Sequence, residues 1–248
     1  MANIHQITKF LDEELDIHII QDSSCNGLQV ENDAEISKIA FAVDACQETF
    51  EKTKEAGCQM LITHHGLIWD GIKYIKGNTY QKIKYLINNN IALYAAHLPL
   101  DMHPLYGNNV QLAKLLNLEN TKPFGYHNDK PIGIMGEVNL TLDEVKDILS
   151  SINIKTDSLD FGNNEIKTIA IVSGGAAKDT LQAIKVNADL YLTGEPLHYI
   201  YHLAKENKIN VIFGGHYETE VWGLKALMPL LKRKFNVEVK FMDVPTTI

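Results

Sequence analysis

Five residues carry the strongest chemical signal in this sequence. His64 and His65 stand side by side, Asp101 follows, and His216 and Glu220 come more than a hundred positions later. Three imidazoles and two carboxylates are the donor types of a two-metal site. Each lies just past a run that reads as a buried strand, the place where α/β folds put ligands. Successive residues on a strand point to opposite sides, so His64 and His65 are expected to serve two ions, one each, rather than to chelate one. Paired ions sit about 3.5–4 Å apart, a gap that one carboxylate spans. Asp101 and Glu220 offer the bridge and the countercharge, with Glu220 the expected bridge. Imidazole plus carboxylate suits Zn, Fe, Mn, Co or Ni, so the expectation is two divalent ions per chain of one of these kinds.

Taken singly, each of these residues has a plainer reading. An adjacent His-His is usually a surface pair, and His216 with Glu218 and Glu220 resembles a helix start whose acidic residues suit the dipole. A polar cluster that recurs just beyond buried strands needs a reason, and metal binding supplies one. His97 precedes Pro99 and is open to two roles, as a ligand or as a group that orients a ligand or substrate. Glu195 and His198 sit in the second half where His64 and His65 sit in the first. They read either as acid/base groups lining the same cleft or as a satisfied helix start. Ser173-Gly174-Gly175 lies between a strand and a helix and lacks the P-loop lysine, so a tight turn fits it better than a phosphate cradle. Lys73, Lys76, Lys82 and Lys84, with Tyr74 and Tyr80 among them, read as solvated lysines or as an attraction for a phosphorylated substrate. Lys232-Arg233-Lys234 compensates a helix dipole.

The elements that must position these groups alternate. Helical spacing of Ile4, Ile7, Phe10, Leu11 and Leu15 predicts a helix over 3–16. A turn-rich stretch covers 22–29. Strands are expected at 38–43, 59–63 and 91–96, with helices at 46–57, 78–90 and 107–117. Residues 117–130, with Pro123, Gly125 and the following Pro131, read as a linker or crossover. Beyond it come a strand at 132–140 and a helix at 141–151, with Thr141 and Glu144 in capping-box spacing. Strands at 168–172, 189–193, 210–213 and 237–242 then alternate with helices at 177–187, 196–207 and 217–232. Such alternation predicts an α/β fold with mostly parallel sheets.

The two halves repeat. Ile39-Ala40 matches Ile169-Ala170 and Met60–Thr63 matches Leu190–Thr193, both at an offset of 130 (169 − 39 and 193 − 63). His97-x-x-x-Asp101 then matches His216-x-x-x-Glu220 at an offset of 119 (216 − 97 and 220 − 101). We read an internal duplication: two similar α/β units, 1–125 and 126–248 with ends that cross over, packed face to face around a metal cleft.

Bulk properties narrow the class. At 248 residues, 45% hydrophobic and 22% charged, the chain can build a real core and is not wholly disordered. A net charge of −8 disfavours non-specific nucleic-acid binding over the whole surface, although a local basic patch would escape that argument. Three cysteines without a CxxC pair argue against a disulfide framework and for a reducing cytoplasm. No signal pattern and no run of membrane-span length is present, so a cytoplasmic location away from the membrane is expected.

Thr63-His64-His65-Gly66, Ala96-His97-Leu98-Pro99-Leu100-Asp101, Thr193-Gly194-Glu195 and Gly215-His216-x-x-x-Glu220 together resemble the Nif-three-like family, also labelled GTP cyclohydrolase I type 2-like or dinuclear metal-centre proteins. Asn26-Gly27-Leu28-Gln29-Val30 is similar too, and the resemblance spans about residues 3–243. It implies two related α/β units, a two-metal cleft with His64, His65, Asp101, His216 and Glu220 as ligands, and a homohexameric ring built as a trimer of dimers. Two departures stand out. The extra domain that some relatives insert between the halves has no room here, and Thr219 replaces the smaller residue many relatives carry before the last glutamate, with Glu218 adding a charge.

The expected function is a metal-dependent hydrolase acting on a small phosphorylated substrate, a nucleotide. A cyclohydrolase of the GTP type would attack the purine imidazole carbon, and a phosphoesterase would attack phosphorus. His97, Glu195 and His198 are the candidates to move protons. The alternative is a ring-shaped DNA- or RNA-binding protein whose metals are structural or regulatory, motivated by the two lysine clusters. A scaffold or metal chaperone is a third reading, which nothing local separates from the first.

Overall fold

Ile4, Ile7, Leu11 and Leu15 bury one stripe of the first helix, α1 (Ile4–Leu15), which Asn3 caps by accepting from the His5 amide at 2.8 Å. The chain continues as β1 (Gly27–Val30), β2 (Lys38–Asp44), α2 (Gln47–Glu55), β3 (Met60–His65), α3 (Gly77–Asn88), β4 (Ala92–Ala95) and a single turn, α4 (Leu98–Asp101). Next come α5 (Asn108–Leu115), β5 (Glu119–His127), β6 (Lys130–Thr141), α6 (Leu142–Ser151), β7 (Asp157–Asp160) and β8 (Glu165–Ile171). A 3-10 turn (Ala177–Asp179) leads into α7 (Thr180–Lys185), followed by β9 (Leu190–Thr193), α8 (Ile200–Asn207) and β10 (Asn210–Phe213). The long α9 (His216–Phe235) and β11 (Glu238–Phe241) end the order. This computed structural model describes residues 2–246. It comprises two units, the first from Met1–Tyr106 with Gly223–Val244, the second built on Gly107–Trp222.

The first unit holds a five-stranded sheet in the order β1-β4-β3-β2-β11. β4, β3, β2 and β11 run parallel, and β1 joins β4 antiparallel. The middle strands are buried along almost their whole length, as parallel strands covered on both faces must be. Phe50 of α2 and Leu86 of α3 pack with Leu61, Leu93 and Ala40 in one core. Each fully buried Leu or Phe contributes roughly 1.5–3 kcal/mol.

The second unit holds a six-stranded sheet in the order β5-β6-β8-β9-β10-β7. β8, β9 and β10 are parallel, while β5, β6 and β7 enter antiparallel. Leu142, Val145 and Leu149 of α6 pack against Ile166, Ile169 and Ile171 of β8. The expected capping box starts α6: Glu144 N donates to Thr141 Oγ1, and Thr141 N donates to Glu144 Oε2.

The parallel strands of the two sheets share a register. Ile39 pairs with Met60 in the first, and Ile169 with Leu190 in the second, an offset of 130 at both (169 − 39 and 190 − 60). On the third strand Leu61 pairs with Leu93, and Tyr191 with Val211, an offset of 118 (211 − 93). The histidine motifs stand at 119, so the second unit has one more residue between strand and histidine. Gly214-Gly215 takes it up, with Gly215 at φ +83°, where a side chain is strained.

Three expectations change. Residues 117–130 are no linker: most of them form β5, which makes a hairpin with β6. Pro123 misled because an edge strand tolerates a residue with no amide to donate. The turn-rich stretch before residue 30 ends in β1, and Asp157–Asp160 forms β7, both short edge strands. The helices expected at 177–187 and 196–207 are shorter, as α7 and α8. Among the described residues, no helix is long and apolar enough to cross a membrane.

Candidate metal centre

In the first unit, β2, β3 and β4 deliver their carboxyl ends side by side. His64 and His65 are the last two residues of β3, and His97 lies two residues past β4. His64 is fully buried, and its Nδ1 lies 2.9 Å from the carbonyl of Ala96. A carbonyl only accepts, so Nδ1 carries the proton and Nε2 is left with the lone pair. That Nε2 is 3.4 Å from Oδ2 of the buried Asp101. His65 Nδ1 sits 2.8 Å from Oδ1 of Asp44, its register partner on β2. His97 Nδ1 faces both oxygens of Asp22, at 2.9 and 3.0 Å.

Asp22 is itself held from three further sides. It accepts from the Ser24 amide at 3.0 Å, the Asn26 side chain at 3.0 Å and the Leu98 amide at 3.1 Å. Burial alone would raise its carboxyl, but the hydrogen bonds and the neighbouring imidazole outweigh that and bring it down to about 2. Asn26 also accepts from the His97 amide at 2.8 Å, so backbone and ring are fixed together. His97 caps α4, with Pro99 in its first turn and Asp101 as its last residue.

The expectation that His64 and His65 diverge is corrected. Their ring centroids are 4.8 Å apart, because one ring is pulled toward the β4 side and the other toward β2 by their Nδ1 partners, not to opposite faces. One ring nitrogen of each of His64, His65 and His97 lies within 4.8 Å of the others, the arrangement of a group that can hold a cation.

In the second unit the equivalent strand ends carry Gly174, Glu195 and His216. His216 opens α9, and Glu220 stands one turn along the same face, Nε2 to Oε2 at 3.1 Å. His216 Nδ1 is hydrogen-bonded to Glu195. Glu220 is buried and Glu195 half-buried. Burial pulls the His216 imidazole down, yet Glu220 and then Glu195 more than offset it and raise it to about 9. Gly174, at φ +66°, makes room: a Cβ there would collide with Glu220 Oε1 and come within 3.2 Å of His216 Nε2. The turn around it uses its first two amides within the chain. Gly174 N donates to Thr219 at 3.0 Å and Ser173 N to Asn109 at 2.7 Å, so both amides are occupied. Thr219 thus ties the turn to α9. His198 is exposed in the turn before α8.

One pattern joins all four imidazoles. Each has Nδ1 engaged by a carboxylate or a carbonyl, which fixes the ring and presents Nε2. Metal-binding histidines are held this way, since the backing group sets tautomer and basicity. Nε2 of His64 and of His216 each lies beside a buried carboxylate, Asp101 and Glu220. The residues therefore fit a divalent cation. Sequence reasoning missed the backing groups Asp22, Asp44 and the Ala96 carbonyl, and the clearance at Gly174. Of these only Asp44 had a sequence signal, as an acid at the end of an apolar strand.

Lys73 and Lys76 are exposed, with Lys76 over the Tyr74 ring at 5.4 Å and Lys84 over the Tyr80 ring at 5.6 Å. Lys232-Arg233-Lys234 lies in the last turn of α9, as dipole compensation expects.

Comparison with known proteins identifies the family. The model of the family Duf34/NIF3 (NGG1p interacting factor 3) matches residues 2–247. A protein of Pyrococcus abyssi named GTP cyclohydrolase 1 type 2 homolog is 46% identical, over 97% of this chain and 98% of its own. One of the same name in Archaeoglobus fulgidus is 41% identical, over 99% and 100%. The crystal structure of TTHA1606 from Thermus thermophilus superposes with a TM-score of 0.90 at 36% identity, covering 98% of this chain and 99% of that one.

Proposed function

The chain belongs to the Duf34/NIF3 family, and from that premise we propose that it is a dinuclear-metal hydrolase acting on a nucleotide of the GTP type. The observation that carries the reading is the common anchoring of four imidazoles through Nδ1, with Nε2 of His64 and of His216 beside buried carboxylates. A structural role would not need four rings anchored through the same nitrogen. His64, His65, Asp101, His216 and Glu220 are the proposed ligands of two divalent ions per chain, drawn from Zn, Fe, Mn, Co or Ni. When bound, such a pair supplies Lewis-acid polarisation and brings water to nucleophilic strength near neutral pH.

The chain's own residues do the rest. Asp44 and Glu195 engage Nδ1 of His65 and His216 and so set the direction in which Nε2 points. His97, backed by Asp22, holds or delivers a proton at Nε2 for the leaving group. Glu195 serves as an orienting group rather than as a free base, since it already engages His216. His198 lies in an exposed turn and is assigned no step.

The test is GTP turnover by metal-reconstituted protein, with metal content measured on the same sample and E220A beside it. Turnover in the native chain that E220A abolishes is the expected result. Two ions bound per chain with no turnover of GTP would exclude the hydrolytic part of the reading.

A further inference from the structure

A half-exposed tryptophan stands beside the histidines of the first unit, and the metal chemistry does not use it. Trp69 lies four residues past His65. Its ring centroid is 5.0 Å from that of His97, edge to face at 71°, and 6.1 Å from that of His65 at 41°. Neither imidazole lies parallel on the indole. The residue keeps 38% of its surface exposed.

The ring is exposed but not loose. Indole Nε1 donates to the Gly66 carbonyl at 2.9 Å. Gln29 Oε1 accepts from the amides of Leu67 and Ile68 at 2.7 and 3.1 Å. Cys25 N donates to Ile68 O at 3.0 Å, Asp70 N donates to Ser23 O at 2.7 Å, and Ser24 bridges to Trp69 itself. The same 22–26 segment holds His97 through Asp22 and Asn26. Tryptophan and histidine are therefore positioned by one scaffold. A large ring fixed at the edge of a polar cluster gains less from burial than a core residue does. What it offers instead is a pre-ordered aromatic surface, which lowers the entropy cost of binding another flat ring. Aromatic side chains bind nucleobases through such stacking, and every base has a face to stack.

We propose that Trp69 is the platform on which the planar heteroaromatic base of the substrate stacks, making it the residue that demands a base at this site. The inference rests on the nucleotide reading above and adds the part of the nucleotide that Trp69 recognises.

Calorimetric titration of the full-length, metal-loaded protein with GTP and, separately, with inorganic triphosphate tests it in W69F and W69L. Both variants lose the bond to Gly66, so any loosening of the loop is common to them, and only W69L loses the aromatic face. W69F is expected to bind GTP within about threefold of the native chain and W69L roughly tenfold or more weakly. Triphosphate binding and metal content should be equal in all three. GTP affinity equal in W69L and W69F overturns the inference, as does a loss in W69L that triphosphate shares. Failure of the metal-loaded native protein to bind GTP overturns the nucleotide reading and this inference with it. Trp69-independent GTP binding leaves the nucleotide reading standing alone.

Discussion

The two strand-end clusters solve the same problem with different ratios of imidazole to carboxylate. The first gathers three imidazoles, each with its own backing group (the Ala96 carbonyl, Asp44 and Asp22), and sets the buried Asp101 beside His64. The second sets a single imidazole between two carboxylates, Glu195 and Glu220. In the first, each ring has a partner at Nδ1 and turns Nε2 away from it. In the second, the carboxylates hold the imidazole protonated, with His216 raised to about 9, so a proton provides the positive charge the cluster requires. On the proposed metal reading, a cation at the second cluster takes the place of the proton on His216. Metal loading there is expected to release a proton at neutral pH and to strengthen as pH rises toward 9, read by calorimetry across that range.

The contrast can be broken most severely by removing Glu220, the buried carboxylate beside His216 Nε2. E220A is expected to lower GTP turnover on the order of a thousandfold, several kcal/mol of lost charge stabilisation, with the bound metal falling in elemental analysis. A smaller effect separates the backing groups. D44N and E195Q should each weaken metal affinity roughly 10–100-fold, read by competition with a chelator. Only E195Q should also reduce the proton release seen by calorimetry in buffers of different ionisation enthalpy. Equal proton release in both variants would show that the two clusters do not differ as argued.

G174A probes the clearance in the second cluster. A left-handed φ and a displaced Glu220 together should cost about 3 kcal/mol in denaturant unfolding and weaken metal binding. The smallest effect is on pH. The folded pKa of His216 lies above its unfolded value of 6.5, so its stabilisation is full below pH 6.5 and is lost as pH rises through about 9. Asp22 behaves the other way: its folded pKa of about 2 lies below the unfolded 3.8, so its stabilisation is full above about pH 4 and is lost as pH falls toward 2. Melting of metal-free protein should show both edges, each about 2–3 kcal/mol. E195Q should flatten the alkaline edge and D22N the acid one.

Much of this arrangement could be read from the chain alone, for identifiable reasons. KIAFAV, QMLIT and NVIF are apolar runs too short for helices, so the parallel strands and the polar residues beyond them stood out. What escaped was held together by distance in sequence. β1 and β7 are four-residue strands that exist because β4 and β10 offer them an edge. β5 is mostly exposed and carries Pro123, so it shows neither alternation nor burial. Asp44 backs His65 only because the register of β2 on β3 sets them opposite each other. Asp22 reaches His97 across 75 residues. These links follow from pairing and packing, to which local pattern is blind.

The placement of β11 has a consequence for the order in which the chain acquires its structure. All strands of the second sheet lie between Glu119 and Phe213, so that sheet is complete once this stretch has left the ribosome. The first sheet lacks an edge until Glu238–Phe241 arrives to pair with Lys38–Phe41. During synthesis β2 therefore waits with an open, apolar edge while the later unit can already fold, the reverse of the usual amino-terminal-first sequence. The newborn protein is accordingly most vulnerable to misassembly in its oldest part, and a truncation that removes β11 should aggregate through β2 rather than merely lose a tail.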